Sequence, residues 1–460
     1  MEPIIPTKIS DSTLLFPYKK QWLWFLFFQI LIAVFFSLEL WIPLSIVLLV
    51  PLLLFSLFDI QSSIYFLIIS LFIGIFILKE PYGIRPVDVL IIFTIFAYLL
   101  HKIYHLDYSF SFNELSRPVF IFLAAIFFSL IDAPIFQKGL INFFKHLELF
   151  LIFFILADLF NSWSLDRLRR LIEYFIYVAV AATLIALTFL LFGENSRAFG
   201  VTGTSLSDLT VSALIASISF LLLSNNRRRT RKFLALASLL FIGLVMTQTR
   251  GAWLGFSVSF LFLSYLLLKK SVPGTTKKLY QLFFLGLILI IILFFVFETA
   301  FVGISHRVEQ IRYVEVGTIQ FRLILWHAAI TAFWANPING IGLGQFSLLS
   351  NKYSDIGDTE LFKENIEGLT AHNVFISYLS ETGMIGILAL IFLYYSITRI
   401  AAKNFNRIDS DENLDLVIIL RTFFFFVVIS STYAGSWFWG LNGTQFMIFL
   451  AISAAVSKKV

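Results

Sequence analysis

Apolar segments long enough to cross a bilayer follow one another along most of this chain. Of its 460 residues, 59% are hydrophobic and only 13% are charged. A helix needs roughly 20 apolar residues to cross the hydrocarbon core, and many segments reach that length. Backbone polar groups must be bonded internally in lipid, so such segments are helical. The sequence therefore predicts an all-α, polytopic integral membrane protein.

The apolar segments predict about 14 transmembrane spans. They cover residues 21–37, 39–58, 62–79, 86–101, 117–132, 138–160, 168–193, 205–224, 231–248, 252–268, 279–298, 373–400, 415–433 and 437–456. The crowded region 21–79 and the last pair could each hide a re-entrant or tilted helix, so about 12 spans is the alternative.

One segment, residues 299–372, interrupts this pattern and predicts a loop domain. It contains proline, glycine, asparagine and charged residues, with too few apolar runs to span. Apolar residues at helical spacing over 317–334 predict a helix lying at the membrane interface, which the pair Asn336-Pro337 ends. The predicted domains are a transmembrane bundle (1–298), this loop domain, and C-terminal transmembrane helices (373–460).

Lysine and arginine fall in short clusters between the spans, and this pattern predicts the orientation. Basic residues in short loops are retained on the cytoplasmic side. The clusters at 227–232 and 269–278, among others, share one side with both termini. We therefore expect a multi-pass membrane protein with both termini cytoplasmic and the loop domain outside. The net charge of +6 lies in these clusters rather than on a continuous basic face, which argues against nucleic-acid binding.

Cysteine is absent, which excludes disulfides, thiolate metal sites and cysteine nucleophiles. Three other ionisable residues gather at the predicted outer face: His372, which opens a span, and Arg197 and Arg250, which lie in turns between spans. A guanidinium offers a planar fork of donors that fits phosphate oxygens, and histidine can take a proton near neutral pH. Together they suit a diphosphate substrate. The alternative for each residue alone is a lipid anchor or a helix cap.

Two further features leave their alternatives open. Lys145, His146 and Glu148 lie in the outer half of a span, where they could line an acceptor path or form a self-neutralised cluster. The run Gly340-Ile-Gly-Leu-Gly344 predicts a flexible turn that lets backbone approach closely. It lacks the spacing and the strand-helix context of a dinucleotide fingerprint, so a nucleotide site is not expected.

Several motifs together resemble the superfamily of O-antigen ligases and Wzy-type polymerases. They are Arg197 with Gly200, Thr249-Arg250-Gly251-Ala252, Arg322 with Trp326, the run Asn336 to Gly344, and His372-Asn373. The last is the most specific, because Gly383 and Gly386 complete a ligase pattern of His-Asn, nine residues, Gly, two residues, Gly. The resemblance covers most of the chain from about 190 to 400, and it is closest to the ligases.

The resemblance implies a metal-independent glycosyltransferase of the bacterial inner membrane, without cofactor, working at the periplasmic face. Its donor would be a glycan on undecaprenyl diphosphate, and its acceptor lipid A-core or another lipid-linked glycan. Arg197 and Arg250 would hold the diphosphate, with Arg322 and Asn373 also in the substrate site. His372 would activate the acceptor hydroxyl.

We expect a ligase, with a Wzy-type polymerase as the alternative because the two differ only in acceptor. A protein-directed oligosaccharyltransferase is disfavoured because the chain ends shortly after its last span. A lipid-linked glycan transporter would need polar groups near mid-membrane and on both faces, whereas the candidate residues crowd one side. Membrane lipids are the other expected partners.

Overall fold

The computed structural model describes residues 60–71, 73, 84–192, 205–296, 315–354, 366, 368–408, 413–433, 437–438 and 440–460. The chain divides into two compact units, Met1–Pro51 and Leu52–Val460, and all described residues belong to the second. Within the described ranges the regular structure is helical and no β-strand occurs. The predicted all-α class is confirmed.

Fourteen helices are described. In chain order they are α1 (Ile60–Ser70), α2 (Pro86–Tyr104), α3 (Ser116–Phe128), α4 (Phe136–Asn161), α5 (Leu165–Phe192), α6 (Ser205–Leu223), α7 (Arg227–Met246), α8 (Arg250–Lys269), α9 (Thr275–Val296), α10 (Glu315–Ala335), α11 (Phe346–Tyr353), α12 (Val374–Arg407), α13 (Leu414–Ser430) and α14 (Gly440–Ser457). Seven of the described helices are long and apolar enough to cross a membrane, namely α2, α4, α5, α6, α8, α12 and α14. The chain is a multi-pass membrane protein.

Each predicted span from residue 62 onward overlaps one of the fourteen described helices. Helix α7 is excluded from the seven by the basic run that opens it, and α13 by its length of 17 residues. Helix α3 is shorter than the predicted span 117–132 because it ends at Phe128. The spans predicted at 21–37 and 39–58, and the predicted site residue Arg197, lie outside the described residues.

Basic side chains tie helix ends together at one end of the bundle, which we call the basic end. Arg169 donates hydrogen bonds to the Asp415 carboxylate from Nε at 2.7 Å and from Nη2 at 3.1 Å. Lys270 Nζ donates to the carbonyl of Ile408 at 2.7 Å. The loops that the charge pattern assigns to one side of the membrane are therefore neighbours in the fold.

The longest helix, α12, is broken near its start. Gly383 has φ 62° and ψ −159°, outside the helical region and on the side of positive φ that favours glycine. A short segment, 374–382, is thereby separated from a long one, 384–407. The sequence predicted a single continuous span at 373–400, and the structure corrects this to two helical segments joined at a glycine.

Helices α10 and α11 build a small hydrophobic core with the residues that precede α12. Its buried members are Leu325, Ala328, Ala329, Ala332, Ile341, Phe346, Ile366 and Ala371. Fully burying one leucine-sized side chain contributes about 1.5–3 kcal/mol, so this cluster orders the described part of the loop region. The helix predicted over 317–334 is found as α10, and the chain leaves it at Asn336, while its place at the membrane interface stays a prediction.

Candidate functional site

His372 occupies a backbone conformation that is uncommon for a residue with a Cβ. Its φ is 49°, in the left-handed region, and its side chain is exposed. Such conformations cost of order 1–3 kcal/mol and persist where the surroundings hold them, often at functional sites. Trp326 of α10 provides one such restraint, because its Nε1 donates to the carbonyl of Ala371 at 2.8 Å. The structure thus holds the backbone next to His372 in place.

Asn373 provides the second restraint. It is the N-cap of α12, with its Oδ1 accepting from the backbone N–H of Ile376 at 3.1 Å. Its Nδ2 donates to the carbonyl of Thr432 at 3.0 Å, and the next N–H, of Val374, donates to Ser431 at 2.9 Å. Both ends of the Asn373 amide are therefore engaged within the protein, and the start of α12 is joined to the end of α13.

Arg322 lies close enough to affect His372 electrostatically. Desolvation by the surrounding chain, and then the positive charge of Arg322, lower the pKa of His372 below its ordinary value. A histidine with a lowered pKa is neutral at pH 7 and can accept a proton. The two residues come from different elements, α10 and the segment before α12, so the fold brings this predicted pair together.

Arg250 is the exposed first residue of α8. Immediately after it, Gly251 and Gly255 pack against the ring of Tyr433, where a Cβ on Gly251 would come within 2.7 Å of the ring's Cε2 atom. Tyr433 follows Thr432, which accepts the hydrogen bond from Asn373. Arg250 and His372 are therefore attached to the same short stretch at the end of α13, at the end of the bundle opposite the basic end.

Arg197 lies outside the described residues, so its place relative to the other candidates is not established. The helix that follows it, α6, begins at Ser205. Its assignment to the substrate site stays a prediction.

The glycine run 340–344 packs into the break of α12. Two backbone hydrogen bonds join the run to α12, from Ile341 N–H to Ser380 O and from Gly342 N–H to Glu381 O, both at 3.0 Å. Two more join α12 to the residues just before the run, from Met384 N–H to Pro337 O at 2.9 Å and from Ile385 N–H to Ile338 O at 3.3 Å. A Cβ on Gly383 would come within 2.6 Å of the Gly340 nitrogen. The close backbone approach expected of this run is thus present, and its partner is α12.

Two residues that the sequence did not single out, one partly and one fully buried, hold this loop in place. The Glu381 carboxylate accepts hydrogen bonds from the N–H groups of Gly344 at 2.9 Å and Phe346 at 3.1 Å, which fixes the start of α11. The fully buried Gln345 bonds both backbone groups of Ile135: Nε2 donates to its carbonyl at 3.0 Å, and Oε1 accepts from its N–H at 3.3 Å. The sequence offered one sign of each role: Glu381 is an acidic residue within an apolar segment, and Gln345 is an amide next to one.

His146 is bonded inside the protein rather than facing a cavity. Its Nδ1 lies 2.7 Å from the carbonyl of Asn142, and its Nε2 lies 2.5 Å from the hydroxyl of Tyr378. A carbonyl can only accept, so Nδ1 carries the proton and Nε2 accepts from the tyrosine. Glu148 lies within electrostatic range of Lys145 and Asp88. Of the predicted trio, His146 is thus a core residue, and the alternatives for Lys145 and Glu148 stay open.

This geometry defines a class: a helical membrane protein with an exposed arginine and a strained histidine held at one end of its bundle. Residues 235–391 match the O-antigen ligase family. The match runs from α7 into α12 and includes Arg250, Arg322, the glycine run and His372. This match supports the resemblance to the superfamily of O-antigen ligases and Wzy-type polymerases, and it supports a membrane enzyme that transfers glycosyl groups. No curated protein matches the chain.

Proposed function

We propose that the protein is an O-antigen ligase that transfers a glycan from undecaprenyl diphosphate to lipid A-core at the periplasmic face. The observation that carries the proposal is the joint anchoring of Arg250 and His372 on the end of α13. A phosphate-binding group and a proton acceptor are thereby held by one rigid stretch. An enzyme that joins a diphosphate-linked sugar to a hydroxyl needs these two groups together.

The arginines hold the donor in this proposal. Arg250 stands at the start of α8, where the helix dipole adds positive potential to its own charge. Arg197 and Arg322 are the other two arginines proposed to hold the donor, and each guanidinium can bind phosphate oxygens through two parallel hydrogen bonds. The leaving diphosphate is already a good leaving group, so charge stabilisation is the main task of these side chains. No metal ion is needed in this scheme, and no other cofactor.

His372 is the general base. It takes the proton from the acceptor hydroxyl as that oxygen bonds to the anomeric carbon, while the bond from this carbon to the diphosphate oxygen breaks. The diphosphate leaves with the bonding electrons and is stabilised by the arginines. Asn373, predicted to bind substrate, also orients His372 through its cap and its bond to Thr432.

The site faces the periplasm in this proposal, and the basic end faces the cytoplasm. The support is the retention of lysine and arginine on the cytoplasmic side of the inner membrane, together with the clustering of such residues at one end of the fold. Both termini are then cytoplasmic. We retain three domains, a bundle (1–298), a periplasmic loop domain (299–372) and C-terminal helices (373–460).

One product assay tests the proposal. The purified protein receives a lipid-linked glycan together with either core lipopolysaccharide or more lipid-linked glycan. Transfer to the core acceptor is the expected result. A ladder of longer glycans on the lipid carrier would instead identify a Wzy-type polymerase, which uses the same donor, and no product with either acceptor would count against a transferase.

A further inference from the structure

The stretch 430–433 at the end of α13 contacts both halves of the proposed site. On the histidine side, the carbonyls of Ser431 and Thr432 accept from Val374 and Asn373 at 2.9 and 3.0 Å. Ser431 is itself held, because its Oγ lies 2.8 Å from the hydroxyl of Tyr394 in α12. The backbone of this stretch is thus fixed to the helix that follows His372.

On the arginine side, the side chain of Tyr433 contacts α8. The ring of Tyr433 lies against Gly251 and Gly255, which are one turn apart on the face of α8. A Cβ on Gly255 would overlap the Tyr433 hydroxyl, come within 2.9 Å of Phe426 Cε2, and lie 3.3 Å from the ring atom Cζ. The ring therefore fills the space that side chains would take on the first turns of this helix.

The hydroxyl of Tyr433 is buried and has no hydrogen-bond partner among the residues that the structure describes. An unbonded buried hydroxyl lowers stability, so hydrogen bonding does not explain why the tyrosine packs here. The contact that remains is steric, between the ring with its oxygen and the glycine face of α8. The position of Tyr433 accordingly sets where the first turns of α8 lie.

We infer that Tyr433 is a positioning residue that sets the separation between the Arg250 guanidinium and the His372 imidazole. Its backbone neighbour Thr432 is bonded to the N-cap of the histidine helix, and its ring abuts the helix that Arg250 opens. The inference rests on the proposed function, in which Arg250 holds the donor and His372 activates the acceptor. Displacing the ring leaves both groups present but moves them relative to each other.

Gly255→Ala tests this because its new methyl group meets the tyrosine hydroxyl. The expected result is a kcat for glycan transfer lowered roughly 10- to 100-fold, since small displacements of reacting groups carry costs of that size. The KM for an undecaprenyl-diphosphate-linked glycan should change by less than about 3-fold, because the arginine contacts persist. Gly286→Ala is the matched control, since its nearest neighbour, Phe241, is 4.0 Å away, and it should transfer like the parent.

Rescue separates positioning from a general packing defect. Adding Tyr433→Phe to Gly255→Ala removes the overlapping oxygen, and the double variant should have a higher kcat than Gly255→Ala alone, while staying below the parent because the methyl group still comes within 2.9 Å of Phe426 Cε2. Absence of rescue, or a parental kcat for Gly255→Ala itself, would overturn the inference. If Gly255→Ala does not fold, Tyr433→Ala removes the ring instead and must show the same fall in kcat at nearly constant KM.

Arg250→Ala, assayed in parallel, distinguishes a failure of the role given to Tyr433 from a failure of the proposed function. Impaired donor use in Arg250→Ala beside a parental Gly255→Ala would overturn only the role of Tyr433. Parental transfer by Arg250→Ala would overturn the proposed function, and the inference with it.

Discussion

The carboxylate of Glu381 accepts a hydrogen bond from the backbone N–H of Gly344 at 2.9 Å, so that α12 and the glycine loop are joined directly beside the helix break. Its second oxygen accepts from Phe346, the first residue of α11. One side chain of α12 therefore satisfies two N–H groups that neither the loop nor α11 bonds internally.

Removing this carboxylate should destabilise the protein measurably. Glu381→Ala leaves two N–H groups without their acceptor, and we expect a loss of about 2–4 kcal/mol, with Glu381→Gln losing less because one acceptor oxygen remains. Thermal and denaturant unfolding in detergent measure this. Glu114→Gln is the control, because Glu114 is exposed in its pair with Lys403 and should change stability by less than about 1 kcal/mol. Equal losses at the two positions would contradict the role of Glu381.

The proposed orientation predicts which positions an impermeant reagent can reach. The chain has no cysteine, so single cysteines can be introduced at exposed Ile338, beside the site, and at exposed Arg228, at the basic end. An impermeant maleimide should label position 338 and not 228 in intact spheroplasts, and both after permeabilisation. Labelling of position 228 and not 338 in intact spheroplasts would show that the orientation is the reverse of the one proposed.

Arg250→Lys keeps the charge and removes the planar fork. Because two-pronged phosphate binding depends on that fork, kcat/KM for the lipid-linked donor should fall at least about 10-fold. Arg197→Ala should cost on the order of 2 kcal/mol or more in the same measurement, since it removes a charge-assisted contact. Arg227→Lys, at an exposed position of the basic end, is the matched control and should leave kcat/KM unchanged. Parental donor use by both site variants would reassign the two arginines to lipid anchoring.

His372→Ala should give a folded protein that still binds donor but transfers about 100- to 10,000-fold more slowly, the usual cost of losing a general base. Alanine is strained at the φ of 49° found here, so His372→Asn is needed beside it, because asparagine tolerates that conformation without supplying a base. Both variants should show this loss of transfer, and the asparagine variant should keep a near-parental melting temperature. Recovery of transfer in the asparagine variant would return His372 to a structural role.

The lowered pKa of His372 has a predictable effect on the pH dependence. A general base works when deprotonated, so kcat/KM should rise with pH through that pKa and then level off. Arg322 lowers the pKa in addition to desolvation, so Arg322→Gln should move the rising limb to higher pH without abolishing it. Rates measured from pH 5 to 8 test this against the parent, and Arg399→Gln at the basic end serves as control. If the rising part of the pH profile does not shift in Arg322→Gln, Arg322 does not affect the pKa of the catalytic base.

Local patterns account for what the sequence could predict. The length of apolar segments and the charge of loops are properties of short stretches of sequence, so the helices and the His372 motif could be predicted from the sequence. The break at Gly383 depends on the loop 336–345, which is distant in sequence, and a continuous apolar run gives no sign of it. The packing of Tyr433 on Gly251 is likewise tertiary. Asn373 as a substrate ligand stays a prediction, since the contacts found for its amide are with protein.

The interruption at Gly383 bears on how the enzyme tolerates lipid composition. At 1.5 Å per residue, the segment 384–407 extends about 36 Å, which exceeds a hydrocarbon core of about 30 Å without help from the residues before it. A thicker or thinner bilayer is accommodated by tilting such a helix. Because the segment 374–382 is held by α13 on one side and by the glycine loop on the other, that tilt can be absorbed at the glycine. Hydrophobic mismatch then changes the inclination of the membrane helix while the imidazole keeps its height above the lipid.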